Sequence, residues 1–249
     1  MRISRALAMA GLASRRQCEV YVRNGAVTVN GEVVRDLGRQ VEPGRDALAY
    51  RGKMLEFRSF VYYLLHKPEG YVTTAGDPQA KKTVYELLPH ALVRGSRQPA
   101  AKRTRVFPVG RLDKDSSGLL LFTNDGDLAY RLTHPKFGVG KWYEVRLDRA
   151  FRPEDRFKLL KGVLLEDGMA HAEKVLSASR RILRVLLYEG RNREIRRMME
   201  ALEYRVTRLV RIAQGPLVLG TLLPGEGRFL NKREIEALRR AAGTGKEDA

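Results

Sequence analysis

The sequence contains very little cysteine and histidine. Cys18 is the single cysteine among 249 residues, so neither an internal disulfide nor a cysteine-rich metal site can form. We expect Cys18 to be a small buried residue on an amphipathic helix and not a nucleophile. The four histidines show no spacing typical of metal ligands: His66, His90, His134 and His171. The sequence therefore gives no indication of a metal centre.

Long apolar segments are also absent. No apolar run approaches the ~20 residues that a membrane-spanning helix requires, and the N-terminus lacks the long apolar region of a signal peptide. We find no lipidation signal and no basic amphipathic helix beside exposed aromatic residues, which would favour a membrane surface. We therefore expect a cytoplasmic protein without a membrane partner.

Acidic residues are in a clear minority. The chain has 47 lysine and arginine residues against 29 aspartate and glutamate residues, which gives a formal net charge of +18. Such a charge favours a polyanionic partner, because each phosphate neutralised by Lys or Arg releases condensed counterions. The length and a hydrophobic content of 43% allow one large domain, or a small domain and a medium one. Nucleic acid is the expected partner.

The N-terminal part has the pattern of two short helices followed by a hairpin. Apolar residues recur at helical spacing over residues 3–10, and Gly11 is a typical helix terminator. Ser14 and Gln17 have the spacing of a capping box that begins a second helix. Asn30-Gly31 lies between two β-branched runs and predicts a tight hairpin. The inward face of the second helix would consist of Cys18, Val20 and Tyr21.

A cluster of arginines at the start of this unit fits either a solvated basic face or a functional surface: Arg2, Arg5, Arg15 and Arg16. The segment Arg2-Ile-Ser-Arg-Ala-Leu-Ala-Met-Ala-Gly-Leu-Ala-Ser-Arg-Arg16, followed by Gly25-Ala-Val-Thr-Val-Asn-Gly31, resembles an S4 RNA-binding domain. The resemblance covers residues 1–48 and implies that the helices and the hairpin lie against structured RNA. It implies RNA contacts at Ser4, Arg5, Ser14, Arg15, Arg16 and Asn30.

Short elements and turns follow. Residues 60–65 predict a strand, Lys67-Pro68-Glu69-Gly70 a turn, residues 71–74 an extended segment and residues 83–88 a short helix. Residues 94–105 hold five basic residues and neither an acid nor a large apolar side chain. They fit a solvated linker and a phosphate-binding arm equally well.

Two brief apolar runs enclose a polar loop in the centre of the chain. Residues 106–109 and 119–122 predict buried strands, because turn residues bound each run. The loop over residues 110–118 reads Gly-Arg-Leu-Asp-Lys-Asp-Ser-Ser-Gly. Strands that fix both ends make such a loop a rigid place for catalytic side chains, although a charged hairpin connection has the same pattern.

The C-terminal half alternates strands and helices. Alternation over residues 141–147 places Tyr143, Val145 and Leu147 on one face of a strand, where a core role for the tyrosine is the simpler interpretation. We predict helices near residues 126–132, 154–161 and 232–241, and strands over 162–165, 170–176, 182–188, 206–212 and 217–219.

The segment from residue 188 to residue 202 combines a helix pattern with a basic run. Its predicted buried face is Ile195, Met198, Met199 and Leu202. Its first turns contain Arg191, Arg193, Arg196 and Arg197. Because the helix dipole disfavours positive charge at this end, we expect an anionic partner here, with Arg191 and Arg193 as RNA contacts.

Three segments jointly resemble the motifs of pseudouridine synthases: Gly110-Arg-Leu-Asp-Lys-Asp-Ser-Ser-Gly118, Lys141-Trp-Tyr-Glu-Val145 and Glu189-Gly-Arg-Asn-Arg-Glu-Ile-Arg-Arg-Met198. With the S4 segment, nearly the whole chain resembles the group that modifies ribosomal RNA. That resemblance implies an α+β fold with a central mixed or antiparallel sheet and flanking helices. We expect an S4 domain over residues 1–57, a catalytic domain over 58–241 and a polar tail over 242–249.

The resemblance also implies roles for individual residues. Asp113 matches the catalytic aspartate, Tyr143 the residue that stacks on the target base, and Arg196 the basic residue that pairs with this aspartate and keeps it ionised. Arg111 and Lys114 flank Asp113 and suit RNA phosphates. The uracil must be flipped out, detached and rejoined through C5. The carboxylate could act as a nucleophile at ribose or base, or as a base at ribose. Neither a metal nor a cofactor is implied, and we expect a monomer.

Two features depart from the family pattern. Ser116-Ser117 stands where threonine is common, and Glu194 stands where glutamine is usual, which adds negative charge near the expected site. Asp115 is a second carboxylate in the central loop, and we interpret it as a structural residue.

Other functions fit parts of the sequence. A ribosome assembly factor would use the S4 unit and keep a degenerate catalytic domain. A DNA-binding protein is supported only by the positive charge, since the sequence has neither a helix-turn-helix pattern nor the spacing of zinc ligands. Both predict that Asp113→Ala leaves function intact. The joint presence of Asp113, Tyr143 and Arg196 favours the enzyme. Large-subunit ribosomal RNA is the favoured substrate, small-subunit ribosomal RNA the second choice, and transfer RNA the third.

Overall fold

The computed structural model describes residues 1–57, 59–74, 81–93 and 104–243. These divide into two compact units. The first comprises Met1–Val61, His90–Val106 and Asn124–Gly126, and the second Tyr62–Pro89, Phe107–Thr123 and Asp127–Ala249. The basic loop predicted over residues 94–105 lies outside the described residues, apart from its last two positions.

The first unit contains the predicted helices and hairpin together with two strands that the sequence did not indicate. Its elements are α1 (Ile3–Met9), α2 (Arg15–Arg23), β1 (Val27–Val29), β2 (Glu32–Val34), β3 (Leu48–Tyr50) and β4 (Lys53–Met54). The four strands form one sheet in the order β2-β1-β3-β4. Asn30 and Gly31 have φ angles of 53° and 88°, as the turn between β1 and β2 requires.

The core of this unit lies between the helices and the sheet. Cys18 and Val22 are fully buried on α2, whereas Val20 is 41% exposed, so the prediction that Val20 faces inward is wrong. Positions 18 and 22 are four residues apart and share one helix face. The expected burial of Cys18 is confirmed, and it raises the pKa of the thiol to about 11.

The second unit is built on a large sheet with helices around it. Its strands are β5 (Tyr62–Lys67), β6 (Phe107–Pro108), β7 (Ser117–Thr123), β8 (Lys141–Leu147), β9 (Val163–Leu165), β10 (Gly168–Ala170), β11 (Lys174–Ser179), β12 (Ile182–Leu187), β13 (Val206–Gln214), β14 (Leu217–Val218) and β15 (Gly227–Phe229). Its helices are α3 (Gly126–Thr133), α4 (Asp155–Lys161), α5 (Glu194–Ala201) and α6 (Lys232–Ala241). Short 3₁₀ helices occur at Val84–Leu87 and Pro135–Phe137, and a third, His90–Leu92, belongs to the first unit.

The large sheet is mixed. Its main path runs β11-β12-β8-β13-β7-β5-β15, with β6 paired to β7 and β14 paired to β13. β7 and β13 pair in parallel, while β8 and β5, on their outer sides, pair with them in antiparallel fashion. β5 and β7 are the central strands in which every residue is buried. The α+β fold with a central mixed sheet is therefore confirmed.

One row of residues crosses four central strands. Lys67 on β5 lies opposite Gly118 on β7, Gly118 opposite Arg211 on β13, and Arg211 opposite Tyr143 on β8. Gly118 has a φ of +110°, and a Cβ atom there would lie 2.3 Å from the Arg211 carbonyl oxygen. Only glycine allows the two strands to approach this closely.

The two faces of the sheet have different neighbours. Leu64 of β5 and Leu119 and Leu121 of β7 belong to a buried cluster that includes Leu128 of α3 and Leu238 of α6. Because side chains alternate along a strand, Lys67 and Gly118 belong to the opposite face. That face carries the cavity described below.

None of the helices within the described ranges combines the length and hydropathy needed to cross a membrane.

Candidate active site

The sheet face that carries Arg211 and Tyr143 has a cavity of about 1050 Å3. Its walls come from six places: the segment over residues 69–73, the central loop over residues 110–116, residues 133 and 135 at the end of α3, the start of β8, the segment over residues 187–195, and β13. Asp113, Tyr143, Lys141 and Arg211 are among its lining residues. The cavity therefore brings together the three segments that resemble the synthase motifs.

Hydrogen bonds from the Lys67 side chain fix the backbone of the central loop. This side chain is fully buried, and its ammonium donates to the carbonyl oxygens of Asp113 at 2.9 Å and Ser116 at 2.6 Å. A third hydrogen bond reaches the Pro68 carbonyl at 3.1 Å. Burial lowers the pKa of Lys67 to about 8, and the negative charge of Asp113 opposes this lowering more than any other charge does. Lys67 is thus a buried cation next to the predicted catalytic residue.

Two further contacts fix the loop from the Lys67–Gly70 side. The Gly70 amide donates to the Lys114 carbonyl at 2.7 Å. Thr73 Oγ1 donates to the Leu112 carbonyl at 2.8 Å and accepts from the Leu112 amide at 3.3 Å. Because backbone groups on both sides of Asp113 are held in this way, the loop presents its carboxylate in a defined position.

Asp113 and Asp115 have different surroundings. Asp113 is half-buried and lines the cavity, and no ion pair from the described part of the chain reaches its carboxylate. Asp115 pairs with Arg193 Nη1 at 3.0 Å and with Arg196 Nε at 3.3 Å. Arg196 Nη2 also donates to the Asp115 carbonyl at 2.7 Å. The expected pairing of Arg196 with Asp113 is wrong, because Asp115 takes this guanidinium.

The arginines at the start of α5 pair with carboxylates from other segments of the chain. Arg197 forms a two-point pair with Asp167, with distances of 2.8 and 2.9 Å. Arg191 Nε donates to Glu189 at 2.8 Å, and its guanidinium also reaches the carbonyls of residues 167 and 168. The arginines at this helix end are therefore paired within the chain, and an RNA contact of Arg191 and Arg193 stays a prediction. Carboxylates of the same chain already neutralise this helix end.

Tyr143 and Lys141 lie on the cavity side of β8. Tyr143, Val145 and Leu147 are all buried, which confirms the predicted alternation, and Tyr143 also lines the cavity. Lys141 is 6% exposed and donates to the Tyr188 carbonyl at 3.0 Å. Burial, and then the positive charge of Arg211, lower the pKa of Lys141 to about 8.

Glu194 is a buried acid at the first position of α5. Its carboxylate accepts from the Arg191 amide at 3.0 Å, so it fixes the turn that precedes the helix. Burial raises the pKa of Glu194, and this hydrogen bond opposes the rise. The predicted buried face of α5 is confirmed, with Ile195, Met198, Met199 and Leu202 all less than 9% exposed.

The predicted RNA contacts of the first unit separate into two classes. Ser4 is 3% exposed, and both ends of the Asn30 amide bond within the protein, to Asp46 at 2.9 Å and to the Ala47 amide at 2.9 Å. These two residues stabilise the fold, so a role for them in contacting RNA is not supported. Ser14 accepts from the Gln17 amide at 3.2 Å as the cap of α2. Arg15 and Arg16 are exposed, and Arg5 is half-buried.

Sequence reasoning gave no site role to Lys67, Thr73, Lys141 or Arg211. Lys67 stood in a predicted turn and Arg211 in a predicted strand, where a cation is normally placed on the solvent side. The signal that was available is a lysine or arginine inside an apolar run, as in Leu64-Leu65-His66-Lys67 and Leu209-Val210-Arg211. Within the described ranges, no group of three or more His, Cys, Asp or Glu residues could hold a metal ion.

Comparison with known proteins identifies relatives that span the whole chain. The sequence model of the family described as RNA pseudouridylate synthase matches residues 61–201, and that of the S4 domain matches residues 1–46. An uncharacterized RNA pseudouridine synthase of Aquifex aeolicus is 38% identical over 248 residues, which cover 98% of this chain and 95% of that protein. Ribosomal large subunit pseudouridine synthase B of Bacillus subtilis is 37% identical over 251 residues, covering 98% of both chains.

A solved structure is also similar. The crystal structure of a pseudouridylate synthase matches with a TM-score of 0.66 and 30% sequence identity, covering 96% of this chain and 99% of that chain.

Proposed function

The chain belongs to the RNA pseudouridylate synthase family and carries an S4 domain, and on this basis we propose that it converts a uridine of large-subunit ribosomal RNA to pseudouridine. The similarity to a ribosomal large subunit pseudouridine synthase B over 98% of both chains supports this substrate. We further propose that residues 1–57 bind the RNA, that residues 58–241 catalyse the reaction, and that the protein acts as a monomer in the cytoplasm.

The position of Asp113 is the observation on which the proposal rests. The Asp113 carboxylate lines a cavity of about 1050 Å3 together with the Tyr143 ring, and the loop that carries Asp113 is fixed through Lys67, Gly70 and Thr73. A cavity of this size has room for a flipped nucleotide. A carboxylate without an ion pair is available to react, whereas Asp115 is engaged by two arginines.

The residues would then divide the work as follows. Asp113 acts at the ribose or the base, and Tyr143 stacks on the flipped uracil. Arg111 and Lys114 are exposed on the loop, where they can bind the RNA backbone beside the flipped nucleotide. Arg196 acts as a positioning residue, because it joins Asp115 of the loop to the Val206 carbonyl of β13 at 3.1 Å. Its contact is with the loop and not with the reacting carboxylate.

Release of tritium from RNA labelled at uridine C5 tests the reaction, because the C5 proton must leave when the base is rejoined through C5. Separate large- and small-subunit ribosomal transcripts are compared, with wild type and Asp113→Asn in parallel. We expect release from the large-subunit transcript and at least a thousandfold lower rate for Asp113→Asn. Release from the small-subunit transcript alone would reassign the substrate. Tight RNA binding by the wild type without release from either would favour an assembly factor.

A further inference from the structure

A buried arginine in the cavity wall has no role in the reaction as described so far. Arg211 is 2% exposed and lines the cavity. Its Nε donates to the Leu119 carbonyl at 2.7 Å. Its Nη2 is buried, and no acceptor within residues 1–57, 59–74, 81–93 and 104–243 forms a hydrogen bond with it. Folded proteins rarely leave a charged donor in this condition. A hydrogen-bond acceptor of the substrate would satisfy this donor.

Arg211 lies next to the ring that is proposed to hold the base. Arg211 and Tyr143 are opposite each other on β13 and β8, so their side chains leave the sheet on the same face. Both line the cavity. A uracil stacked on Tyr143 would therefore have its edge within reach of the Arg211 guanidinium.

The surroundings of Arg211 are positively charged. Lys67 and Lys141 are both at most 6% exposed, and the charge of Arg211 disfavours the charged form of each. Lys67 donates to three carbonyl groups, and Lys141 to the carbonyls of Tyr188 and Glu189. Both ammonium groups are thus occupied by the protein. Of the three buried cations, Arg211 has a terminal nitrogen, Nη2, that forms no hydrogen bond with the described part of the chain.

We propose that Arg211 Nη2 donates a hydrogen bond to a carbonyl oxygen of the target uracil and that its guanidinium stabilises the negative charge that the base acquires during the reaction. The inference rests on the proposed function and adds a substrate-contacting residue to it. A donor fixed in place before the reaction is effective, since it needs no rearrangement when the charge develops.

Negative charge reaches the uracil by each route open to Asp113. If the N1–C1′ bond breaks, the electron pair of that bond leaves with the base and is shared between N1, O2 and O4. If the carboxylate instead adds to C6, the electrons of the C5–C6 double bond move towards C5 and O4. Carbonyl oxygens receive the charge in both cases. The role of Arg211 is therefore independent of the choice between these mechanisms.

A carbonyl oxygen fits this position better than a phosphate does. Arg211 is almost completely buried, whereas Arg111 and Lys114 are exposed on the same cavity. A base that is flipped out of a helix enters its pocket first, while its phosphates stay with the RNA backbone at the entrance. The exposed pair is thus placed for phosphates, and the buried arginine for the base.

Arg211→Met tests the contact with little change in side-chain length, and Arg156→Met is the matched control, since it removes an exposed arginine outside the cavity. We expect Arg211→Met to lower the single-turnover rate of pseudouridine formation by about 100-fold, with an RNA Kd within about threefold of wild type. Arg156→Met should change neither quantity. A rate within threefold of wild type for folded Arg211→Met would overturn the inference. A rise in Kd that accounts for the reduced rate would do so too, because it would indicate a phosphate contact.

A second arm changes the substrate and leaves the protein intact, so it remains decisive if Arg211→Met does not fold. RNA fragments with 2-thiouridine or 4-thiouridine at the modified position replace one carbonyl oxygen with sulfur, a weaker acceptor. Wild type should be slowed about tenfold or more by one of the two, and Arg211→Met should show no additional loss on that substrate. If neither fragment slows wild type, Arg211 donates to neither carbonyl. If wild type fails on the unmodified fragment, the proposed function itself fails, and the inference with it.

Discussion

Two helices of this protein, α2 and α5, begin with runs of arginine, and the two runs have opposite surroundings. At the start of α2, Arg15 and Arg16 are exposed, and no ion pair within the described ranges reaches either of them. At the start of α5, the arginines contact Glu189, Asp115 and Asp167 of the same chain. The first run is open to a polyanion, whereas the second serves the internal structure of the catalytic unit.

The difference shows what a basic run in a sequence can indicate. Arg193 pairs with a carboxylate 78 positions earlier, and Arg197 with one 30 positions earlier. Local sequence contains no information about such partners. An argument from the helix dipole shows that a counter-charge is needed, but not whether the chain or a ligand supplies it.

The largest effect is expected at the pair that links α5 to the central loop. Asp115→Asn would leave Arg193 and Arg196 beside each other without a counter-charge, and the loop that carries Asp113 would shift. Small displacements of reacting groups are costly, so we expect a single-turnover rate about 10–100-fold below wild type, with little change in RNA Kd.

Asp167→Asn is the matched control for this loop variant. It removes the carboxylate that pairs with Arg197, at a position outside the cavity lining. Its rate should stay within about threefold of wild type. Equal losses of rate for Asp115→Asn and Asp167→Asn would mean that the net charge at the start of α5 matters, and not the specific contact between Asp115 and the arginines.

The next effect is expected at the other helix. Exchange of Arg15 and Arg16 for glutamine should weaken RNA binding about tenfold. The slope of log Kd against log salt should fall by about 0.7–0.9 for each phosphate that the variant no longer neutralises. The rate at saturating enzyme should not change, since both residues lie outside the catalytic unit. The Kd values are measured by filter binding over a series of salt concentrations. An unchanged slope would mean that Arg15 and Arg16 do not contact RNA phosphates, so α2 would not differ from α5 in this respect.

A smaller effect is expected for the outer pair of α5. Arg197 and Asp167 side chains are 25% and 47% exposed, so solvent screens their attraction. Arg197→Gln should lower the free energy of unfolding by about 0.5–1 kcal/mol, measured in urea, without an effect on RNA Kd. Weaker RNA binding would instead assign this arginine to the RNA surface.

The smallest effect concerns Glu194, the buried acid at the first position of α5. Burial raises its pKa above the usual 4.5, so the folded protein binds this proton more tightly than the unfolded chain does. The stability it contributes is present below pH 4.5 and is lost as pH rises through the raised pKa. Glu194→Gln should therefore be more stable than wild type at pH 7, and the difference should disappear in acid. Exposed Glu200→Gln on the same helix is the control, for which stability should change at neither pH.

Local patterns were sufficient for most individual elements. Helix α6 begins and ends where its sequence predicts, the Asn30-Gly31 turn joins β1 and β2, and the alternation over residues 141–147 correctly orients Tyr143. These features depend on neighbours a few positions away. β3, β4 and β15, which have only two or three residues each, were missed.

The site required contacts between distant segments. The family resemblance indicated Asp113 as the catalytic residue, but it predicted that Arg196 pairs with Asp113, whereas Arg196 pairs with Asp115. The two aspartates are two positions apart, and the conformation of the loop decides which of them faces Arg196. Ser4 and Asn30 match the positions of RNA contacts in S4 domains, but Ser4 is buried and the Asn30 amide is hydrogen-bonded within the protein. A site role for Lys67 and Arg211 could be recognised only from the strand register, which places both residues in one row with Gly118 and Tyr143.

The parallel pairing of β7 with β13 also determines when the pocket forms during synthesis. The core of the N-terminal unit draws on Ile3 through Leu48, so it is complete early in translation. The pocket needs Gly118 beside Arg211, and joining strands so far apart requires closure of a long intervening chain. A nascent chain that ends before β13 lacks one wall of the cavity. Catalytic competence therefore arrives only after β13 has been synthesised.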